Sequence, residues 1–314
     1  MERYKYIYGP VLSRRLGRSL GVDIIPFKTC SYDCVYCLLG RTKTHTSKLA
    51  EYVPCDAVLE ELERKLSEDK PDAISFAGSG EPTLNSALGN IIAGIKKMTD
   101  VPVVVFTNSS LLWKPEVRQN LALADIISPS MDAVVPQTLQ KVNRPCEGLN
   151  CELFYQGIKS FCHEYRGRIW LEILLAAGMN DSDADVNALV GAARGLENLE
   201  CIQLNTVVRP PAEKHVGAVS RERLEAIRRQ LPGKVEIIAS FFGDKEGGHG
   251  KKSVSAGEIA DLVERHPSTL EGIAEGLDVG VDIIRPIVEK LVTDNVLAAN
   301  ECEGKTFYVV TNPS

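Results

Sequence analysis

Three cysteines stand close together in the stretch TCSYDCVYCLLG, residues 29–40, and they are Cys30, Cys34 and Cys37. A cubane iron–sulfur cluster that is saturated by protein takes four thiolates, so three thiolates from one loop leave one iron open to another ligand. A structural zinc site usually brings two close ligand pairs from separate loops, and no further CxxC or HxxxH pair occurs in the chain. The spacing therefore favours a [4Fe-4S] cluster, with the chemistry at its open iron.

The spacing CxxxCxxC, with the aromatic Tyr36 directly before the last cysteine, resembles the cluster loop of the radical S-adenosylmethionine (radical SAM) superfamily. The resemblance implies that the three cysteines bind a [4Fe-4S] cluster and that Tyr36 belongs to the cofactor site. It also implies S-adenosylmethionine as the second cofactor, chelated to the open iron through its amino and carboxylate groups. An electron from a donor such as flavodoxin or ferredoxin would pass through the cluster and cleave the sulfonium to a 5'-deoxyadenosyl radical.

A glycine-rich stretch, AGSGEP, follows at residues 77–82. Glycines at the end of a strand let the backbone approach a ligand closely, although a plain strand-to-helix turn has the same composition. The stretch resembles the GGE motif that holds the methionyl ammonium of S-adenosylmethionine in radical SAM proteins. Ser79 stands where that motif usually has its first glycine, so the resemblance implies cofactor contacts from Ser79, Gly80 and Glu81.

Polar side chains also stand at the ends of the next two predicted strands. In radical SAM proteins these strand ends commonly hold the ribose hydroxyls or the carboxylate of the cofactor, which implies such roles for Asn108, Ser130 and Asp132. Each of the three could equally cap the helix that follows it. Arg144 lies in the loop KVNRP, and its planar guanidinium would match the cofactor carboxylate, unless it is simply a solvated loop charge.

The first fifty residues are basic although the whole chain is acidic. They carry nine Lys and Arg against three Asp and Glu, a net of +6, so the remaining residues carry −6 − 6 = −12. Arg14, Arg15 and Arg18 precede the cysteines and are candidate ligands of an anionic substrate that enters near the cluster. The alternative is that these arginines are solvated loop charges.

A second set of candidate substrate residues lies in the last predicted strand of the core. Gln203 and Asn205 share one face of that strand because alternate residues point to opposite sides, and Arg209 follows its end. A polar pair on an otherwise apolar strand indicates a substrate pocket, although a polar layer with all its hydrogen bonds made inside the protein would give the same pattern.

The elements that must position these residues follow from the hydrophobic pattern. Strands are predicted at residues 20–25, 72–78, 101–108, 124–132, 169–179 and 199–208, with amphipathic helices between most of them and a loop or short hairpin before the first. This alternation indicates right-handed βαβ units in an α/β fold with a parallel sheet. The pattern alone also permits a doubly wound sheet, whereas the resemblance implies a partial (β/α)6 TIM-type barrel with the site on its carboxyl rim.

The pattern changes after this core. Residues 234–242 predict one more strand at the open edge of the barrel, and the glycine-rich, charged residues 243–252 predict a linker. The chain is therefore divided into a barrel domain at 1–242 and a second domain at 253–314. Three helical patterns and a hairpin in the second domain resemble a winged helix-turn-helix. From residue 251 onward it carries six Lys and Arg against eleven Asp and Glu, a net of −5 that argues against DNA binding.

Four stretches together resemble a group of small radical SAM proteins related to the wyosine synthase branch, which rebuilds a modified guanine in transfer RNA. They are YGPVLSRRLGRSLGVDIIPFKTCSYDCVYC, AGSGEPT, VNRP and LNTVVRPP. The resemblance implies a radical SAM enzyme, and the basic N-terminal residues favour an RNA or a nucleotide as its substrate. Two alternatives stay open: a protein or peptide recruited by the winged-helix domain, and a cluster-bearing transcriptional regulator. No motif specifies the reaction.

Composition places the chain among soluble globular proteins, with 44% hydrophobic and 25% charged residues and no apolar run long enough to span a bilayer. The first residues lack an apolar signal region. Nine cysteines in such a chain indicate reduced thiols and metal ligands, and the six outside the loop are scattered in the manner of small buried hydrophobes. We therefore expect a cytoplasmic protein without a membrane partner or a second cluster.

Overall fold

The computed structural model describes residues 4–13, 15–239, 254–277, 279–302 and 304–311. Its strands are β1 (Ile7–Ser13), β2 (Gly17–Val22), β3 (Thr29–Cys30), β4 (Thr44–His45), β5 (Ala73–Phe76), β6 (Val103–Thr107), β7 (Ile126–Pro129), β8 (Arg168–Leu175), β9 (Leu199–Thr206), β10 (Val235–Ile237), β11 (Leu297–Cys302) and β12 (Lys305–Val310). Its helices are α1 (Cys55–Glu68), α2 (Leu88–Met98), α3 (Pro115–Leu121), α4 (Pro136–Val142), α5 (Cys151–Glu164), α6 (Asp183–Arg194), α7 (Arg221–Arg228), α8 (Ala256–Arg265), α9 (Leu270–Leu277) and α10 (Val281–Thr293). The six predicted core strands correspond to β2 and β5 to β9.

Eight strands form one sheet in the order β1-β2-β5-β6-β7-β8-β9-β10. The strands from β2 to β10 run parallel, and β1 pairs antiparallel with β2 as the hairpin that the N-terminal turn residues allowed. The strand order follows the chain from one edge to the other. A doubly wound sheet would reverse its order at a switch point, so that alternative is excluded.

The sheet curls into an open barrel. Strands β2 and β9 are five positions apart in the order, which would separate them by about 24 Å in a flat sheet. Arg15, in the turn before β2, nevertheless donates a hydrogen bond from Nη1 to Gln203 of β9 at 2.7 Å and to Glu172 of β8 at 2.9 Å. A single side chain can bridge these strands only if the sheet bends around it.

The two faces of the barrel wall have different chemistry. Outward-facing residues such as Ile74, Val105 and Leu171 belong to the main apolar core beneath the helices. The lower part of the inner face carries a small apolar cluster that includes Leu16 and Trp170, and polar residues lie above it. The main core therefore holds the barrel together, and the upper part of the interior is left for polar groups.

None of the helices in the described part of the chain combines the length and the apolar character that a membrane span needs.

The C-terminal module, residues 254–311 as described, has the predicted order of three helices and a hairpin. A capping box between Ser255 and Glu258 starts α8, and the three helices share an apolar core of their own. Val11 of β1 packs against that core, and a Cβ added at Gly276 of α9 would lie 3.1 Å from the carbonyl oxygen of Pro10. The module therefore rests on the edge strand of the barrel. The predicted linker at 243–252 lies outside the described residues, and the winged-helix assignment stays a prediction.

Candidate functional site

The cysteine loop leaves the carboxyl edge of the sheet and is attached on one side to the glycine-rich stretch after β5. The Lys28 amide donates to the carbonyl oxygen of Ser79 at 2.7 Å, and the Glu81 amide donates to that of Thr29 at 3.3 Å. A Cβ added at Gly80 would lie 1.8 Å from the Thr29 carbonyl oxygen, so only glycine fits there. The two motifs that the sequence singled out therefore form one continuous structure.

On its other side the cysteine loop is attached to the stretch KVNRP, residues 141–145, which spans the end of α4 and the turn that follows. The amides of Asp33 and Val35 donate to the carbonyl oxygens of Asn143 and Val142 at 3.0 and 2.9 Å. The Cys146 amide in turn donates to the carbonyl oxygen of Ser31 at 2.9 Å. Backbone hydrogen bonds to two neighbouring segments thus fix the position of the cysteine loop.

Each of the three thiols lies beside a different side-chain donor. Lys28 Nζ lies 3.3 Å from Cys37 Sγ. Asn108 Nδ2 lies 3.5 Å from Cys30 Sγ, and Asn143 Nδ2 lies 3.5 Å from Cys34 Sγ. N–H groups aimed at sulfur stabilise thiolates more than neutral thiols, so this surrounding suits metal-bound cysteines.

Burial, in contrast to these donors, favours the neutral thiol and raises the pKa of Cys30 and Cys34. Desolvation is the main cause that raises the pKa of Cys30 to about 12, and it raises the pKa of Cys34 well above the usual value. A buried thiol deprotonates readily when it binds a metal, because the cation replaces the lost hydration. The loop is therefore prepared for a positively charged group rather than for free thiolates.

Among the described residues, no three Cys, His, Asp or Glu side chains converge on one point as the ligands of a single metal ion would. Thiolates that bind separate irons of a cubane lie farther apart than the ligands of one ion. The described residues therefore offer no site for a single metal ion, while the donor set of three thiols fits a cluster with one open iron.

Lys28 is buried, with 3% of its surface exposed. Its ammonium donates to the carbonyl oxygen of Gly40 and to Cys37 Sγ, and no carboxylate pairs with it among the residues that the structure describes. A buried cation is costly without a negative partner. The thiolates of the loop are therefore the natural counter-charge for Lys28.

The carboxylate of Glu81 is buried and fully engaged. Its Oε1 accepts from Thr83 Oγ1 at 2.6 Å and from Thr107 Oγ1 at 2.7 Å, and its Oε2 accepts from the Asn108 amide at 2.7 Å. Burial raises the pKa of Glu81, whereas these hydrogen bonds lower it. Glu81 thereby joins the glycine-rich stretch to the end of β6, and it positions Asn108 next to Cys30.

Ser79 is oriented by Asp23, which follows β2. Ser79 Oγ donates to Asp23 Oδ2 at 2.5 Å, and the Ser79 amide donates to Asp23 Oδ1 at 3.2 Å. Gly78 adopts φ +131°, and a Cβ there would lie 2.8 Å from Asp23 Cγ. The hydroxyl that departs from the GGE pattern thus has a partner, and Asp23 sets the shape of the stretch.

Tyr36, Asp132 and Asn143 form a buried network against Cys34. Asp132 accepts hydrogen bonds from the Tyr36 hydroxyl, from Asn143 Nδ2 at 3.0 Å and from the Leu174 amide at 2.9 Å. Burial raises the pKa of Asp132 to about 6 against these hydrogen bonds. Both oxygens of Asp132 therefore have partners inside the protein, and the carboxylate holds Tyr36 and Asn143 in place.

Arg144 and Ser130, the two other predicted cofactor ligands, differ in whether their side chains already have a partner inside the protein. Arg144 forms an ion pair with Glu213, which Arg41 also contacts at 2.5 Å. Ser130 is half-buried at the end of β7, and its amide donates to the carbonyl oxygen of Thr107 at 2.9 Å. The Ser130 hydroxyl has no hydrogen-bond partner among the described residues. The Arg144 guanidinium, by contrast, would have to be shared between Glu213 and a cofactor carboxylate.

The predicted substrate residues separate into different places. Arg15, Gln203 and Asn205 meet inside the barrel around Glu172, where Asn205 Nδ2 donates to Glu172 Oε1 at 2.9 Å. The Arg15 guanidinium also lies over the Phe106 ring, 4.8 Å from its centroid. These residues form the interior polar cluster: Arg15, Phe106, Glu172, Gln203 and Asn205.

The remaining substrate candidates do not join the interior polar cluster. Arg18 contacts Asp69 at 3.3 Å, before β5, which places it at the amino edge of the sheet and away from the cysteine loop. Arg209 donates from Nη1 to Nδ1 of His266 in the C-terminal module at 3.3 Å. Arg14 lies outside the described residues.

Lys28, Asn143 and Asp23 are not among the site residues that the sequence predicted. Asn143 directly precedes the chosen Arg144, and Lys28 stands two positions before Cys30. Asp23 lies within the apolar run LGVDII, and a carboxylate inside a buried strand pattern is a signal that could have found it. Nothing in the sequence shows that Lys28 is buried.

Comparisons with known proteins agree with this geometry. The sequence profile of the radical SAM superfamily matches residues 24–189, more than half of the chain. The chain is 32% identical over 309 residues to a UPF0026 protein of Methanocaldococcus jannaschii, in an alignment that covers 96% of this chain and 95% of the relative. It is 34% identical over 309 residues to a protein of Brachyspira hyodysenteriae named GTPase Obg, where 98% of this chain spans only 45% of the relative.

The fold is also found among solved structures. A radical SAM methyltransferase from Sphaerobacter thermophilus superposes with a TM-score of 0.51 at 18% identity, over 71% of this chain and 66% of that chain. The similarity shows that the core is a partial TIM-type barrel, in agreement with the curled, sequentially ordered sheet. It extends over about two thirds of that protein.

Proposed function

The chain belongs to the radical SAM superfamily, and we propose that it is an enzyme which uses a [4Fe-4S] cluster bound by Cys30, Cys34 and Cys37. The observation that carries the proposal is the set of three thiols on one loop, each beside its own N–H donor. When bound, the cluster and S-adenosylmethionine supply an electron and a sulfonium whose reductive cleavage gives a 5'-deoxyadenosyl radical for hydrogen abstraction. The protein's contribution is to hold, orient and enclose these groups.

The residues around the loop have distinct proposed roles. The Lys28 ammonium offsets the negative charge of the thiolates, and Asn108 and Asn143 donate to the other two sulfurs. Asp132 acts through Tyr36 and Asn143, because its own oxygens are engaged. These groups keep the thiolates in one arrangement, so that little reorganisation accompanies electron transfer.

S-adenosylmethionine is proposed to lie along the carboxyl edge. Residues 79–81 present a backbone that Gly80 brings against the cysteine loop, which suits the methionyl ammonium. Ser130 is proposed to face the ribose, because its half-buried hydroxyl is available as a donor. The carboxamide of Asn108, the other predicted ribose ligand, is engaged by Cys30 Sγ, the Ser31 hydroxyl and the Ser110 amide, so Asn108 is proposed to act on the cysteine loop instead. Arg144 is the proposed partner of the cofactor carboxylate, which would then compete with Glu213 for the guanidinium.

The interior polar cluster is the proposed substrate site, and the proposed substrate is an RNA or a nucleotide. A nucleobase has a flat apolar face and hydrogen-bonding edges, and the cluster offers an arginine over an aromatic ring beside two amides. Ser128, on the same inner face, has a buried hydroxyl without a partner among the described residues. The side chains of Arg15 and Glu172 keep 20% and 15% of their surface exposed, so solvent reaches them.

A matched pair of arginines tests this assignment, because Arg15 and Arg18 come from the same hairpin but lie at different places. Anaerobic, cluster-loaded protein is mixed with dithionite and S-adenosylmethionine, and 5'-deoxyadenosine is measured with and without bulk transfer RNA or mixed nucleotides. We expect stimulation by one of these in the parent protein and in Arg18→Met, and a loss of at least about tenfold in Arg15→Met. Equal stimulation in both variants would remove the interior cluster from the substrate site.

A second candidate substrate is a protein or peptide that the C-terminal module recruits. The module rests on the barrel edge and contacts Asp23 beside the glycine-rich stretch, and its sequence has a net charge of −5 from residue 251 onward. An acidic module would attract a basic peptide rather than DNA, which also argues against a transcriptional regulator. Stimulation of 5'-deoxyadenosine formation by a protein fraction, and not by RNA or nucleotides, would favour this candidate.

A further inference from the structure

A buried ion pair joins the C-terminal module to the glycine-rich stretch. Arg265, at the end of α8, donates from Nε to Asp23 Oδ2 at 3.0 Å, and the two side chains are 12% and 6% exposed. The same Asp23 oxygen accepts from Ser79 Oγ at 2.5 Å. One carboxylate therefore connects a residue of the module with the residue that replaces the usual first glycine.

Arg265 is held from several directions. Its Nη2 donates to the Lys5 carbonyl oxygen at 2.8 Å, its Nη1 donates to that of Asp261 at 3.3 Å, and its guanidinium lies 5.7 Å from the centroid of the Tyr8 ring. The contact with Asp261 lies within α8 itself, whereas the contacts with Lys5 and Tyr8 exist only while α8 is seated on the barrel edge. The position of the Asp23 carboxylate thus depends on the docking of the module.

Asp23 in turn determines the conformation of the stretch that is proposed to hold S-adenosylmethionine. It binds both the amide and the hydroxyl of Ser79, and it lies close to Gly78, whose φ is +131°. Burial raises the pKa of Asp23, and Arg265 and Ser79 lower it. Removal of Arg265 would leave a buried carboxylate with fewer partners, and such a group rearranges or becomes neutral.

We propose that Arg265 is a positioning residue for the cofactor site, through which docking of the C-terminal module and binding of S-adenosylmethionine are coupled. The inference rests on the proposed function, because it assigns residues 79–81 to the cofactor. A partner that displaces α8 would weaken cofactor binding, and a partner that holds α8 in place would strengthen it. The coupling is reciprocal, so the cofactor also stabilises the docked module.

The first test is the affinity of cluster-loaded protein for S-adenosylmethionine. Couplings between sites commonly change affinity by about 5- to 150-fold, and we expect a loss in this range for Arg265→Met and a smaller loss for Arg265→Lys, which keeps the charge. Arg285→Met is the matched control, because Arg285 lies exposed on α10 of the same module. Parental affinity in Arg265→Met would overturn the inference.

The second test measures hydrogen exchange, first without the cofactor and then with it. Hydrogen exchange of the Ser79 amide, which donates to Asp23, should become about tenfold faster or more in Arg265→Met and in Asp23→Asn, but not in Arg285→Met. In the parent protein, added S-adenosylmethionine should slow exchange in α8. Failure of the loaded parent protein to bind S-adenosylmethionine would overturn the proposed function and the coupling with it. An unchanged Ser79 amide together with normal cofactor binding would overturn the coupling alone.

Discussion

The carboxyl edge of the barrel and the C-terminal module are stabilised by different interactions. At the edge, the cysteine loop is fixed by backbone hydrogen bonds from two neighbouring segments and by buried polar side chains such as Asn143 and Asp132. The module has a small apolar core of three helices, and in the described part of the chain it reaches the cofactor edge through the ion pair of Arg265 with Asp23. A network of many short hydrogen bonds keeps one geometry, whereas a small module that is joined to the barrel by few polar contacts can dock and undock.

The largest expected effect is at the three cysteines of the carboxyl edge. Cys34→Ala removes one of three thiolates, so we expect loss of the cluster with little change in the fold, since the edge is held by backbone bonds. Iron and sulfide content after anaerobic reconstitution measures the first effect, and far-UV circular dichroism measures the second. Cys302→Ala, in the hairpin of the module, is the control and should keep full iron content. A full cluster in Cys34→Ala would show that the loop is not the ligand set.

The next effect concerns the core of the module. Ile273 is fully buried among the module's helices, and truncating such a side chain costs about 2–5 kcal/mol. Ile273→Ala should therefore unfold or undock the module while the barrel stays folded, which would appear as hydrogen exchange confined to residues 254–311. Val105→Ala in the barrel core is the comparison variant. Simultaneous loss of protection in both regions of Ile273→Ala would mean that the two parts are one cooperative unit.

Substitutions of Lys28 test whether its positive charge sets the reduction potential of the cluster. Its ammonium lies beside Cys37 Sγ, so Lys28→Met should make reduction of a bound cluster less favourable, by about tenfold or 59 mV for a one-electron couple. Lys28→Arg keeps the charge and should move the potential less. A redox titration followed by electron paramagnetic resonance gives both values, and equal potentials in the two variants would contradict the role of the charge.

The smallest effect is a pH dependence at the junction. Burial and the neighbouring Arg209 lower the pKa of His266 well below its usual value of about 6.5, so the docked module binds fewer protons than the undocked one. Docking is therefore most favourable above pH 6.5 and weakens as the pH falls, by at most about 1.4 kcal/mol per pH unit for one group. The protection factors of the α8 amides, which are corrected for the intrinsic exchange rate at each pH, are compared at pH 7 and pH 5. We expect lower protection at pH 5 in the parent protein and no such difference in His266→Asn.

Local patterns revealed the cysteine loop, the glycine-rich stretch and the succession of strands and helices along the chain, because cluster spacing, turn residues and strand periodicity are encoded in adjacent residues. The order of the strands within the sheet was left open by these patterns and is seen only in the folded chain. The prediction was wrong about the first strand's beginning, since β2 starts at Gly17 and not at Leu20. Arg18 therefore falls at the amino end of a strand, although in the sequence it stands near the cysteines. Proximity in sequence does not tell which edge of the sheet a residue occupies.

Other features needed the folded chain. Arg265 and Asp23 are 242 positions apart, and no periodicity links them. Asp132 was expected to bind the cofactor directly, yet its oxygens are occupied by Tyr36, Asn143 and a backbone amide. Hydrogen-bond partners of a buried carboxylate depend on several strands at once, so the sequence could place Asp132 at the right edge but could not show what it holds.

The proposed activity is tested most directly by the formation of 5'-deoxyadenosine in anaerobic, reconstituted protein with dithionite and S-adenosylmethionine. We expect the product to form in the parent protein and to fall to background in Cys30→Ala, Cys34→Ala and Cys37→Ala. Absence of the product from protein that carries a full cluster and binds S-adenosylmethionine would contradict the proposed activity.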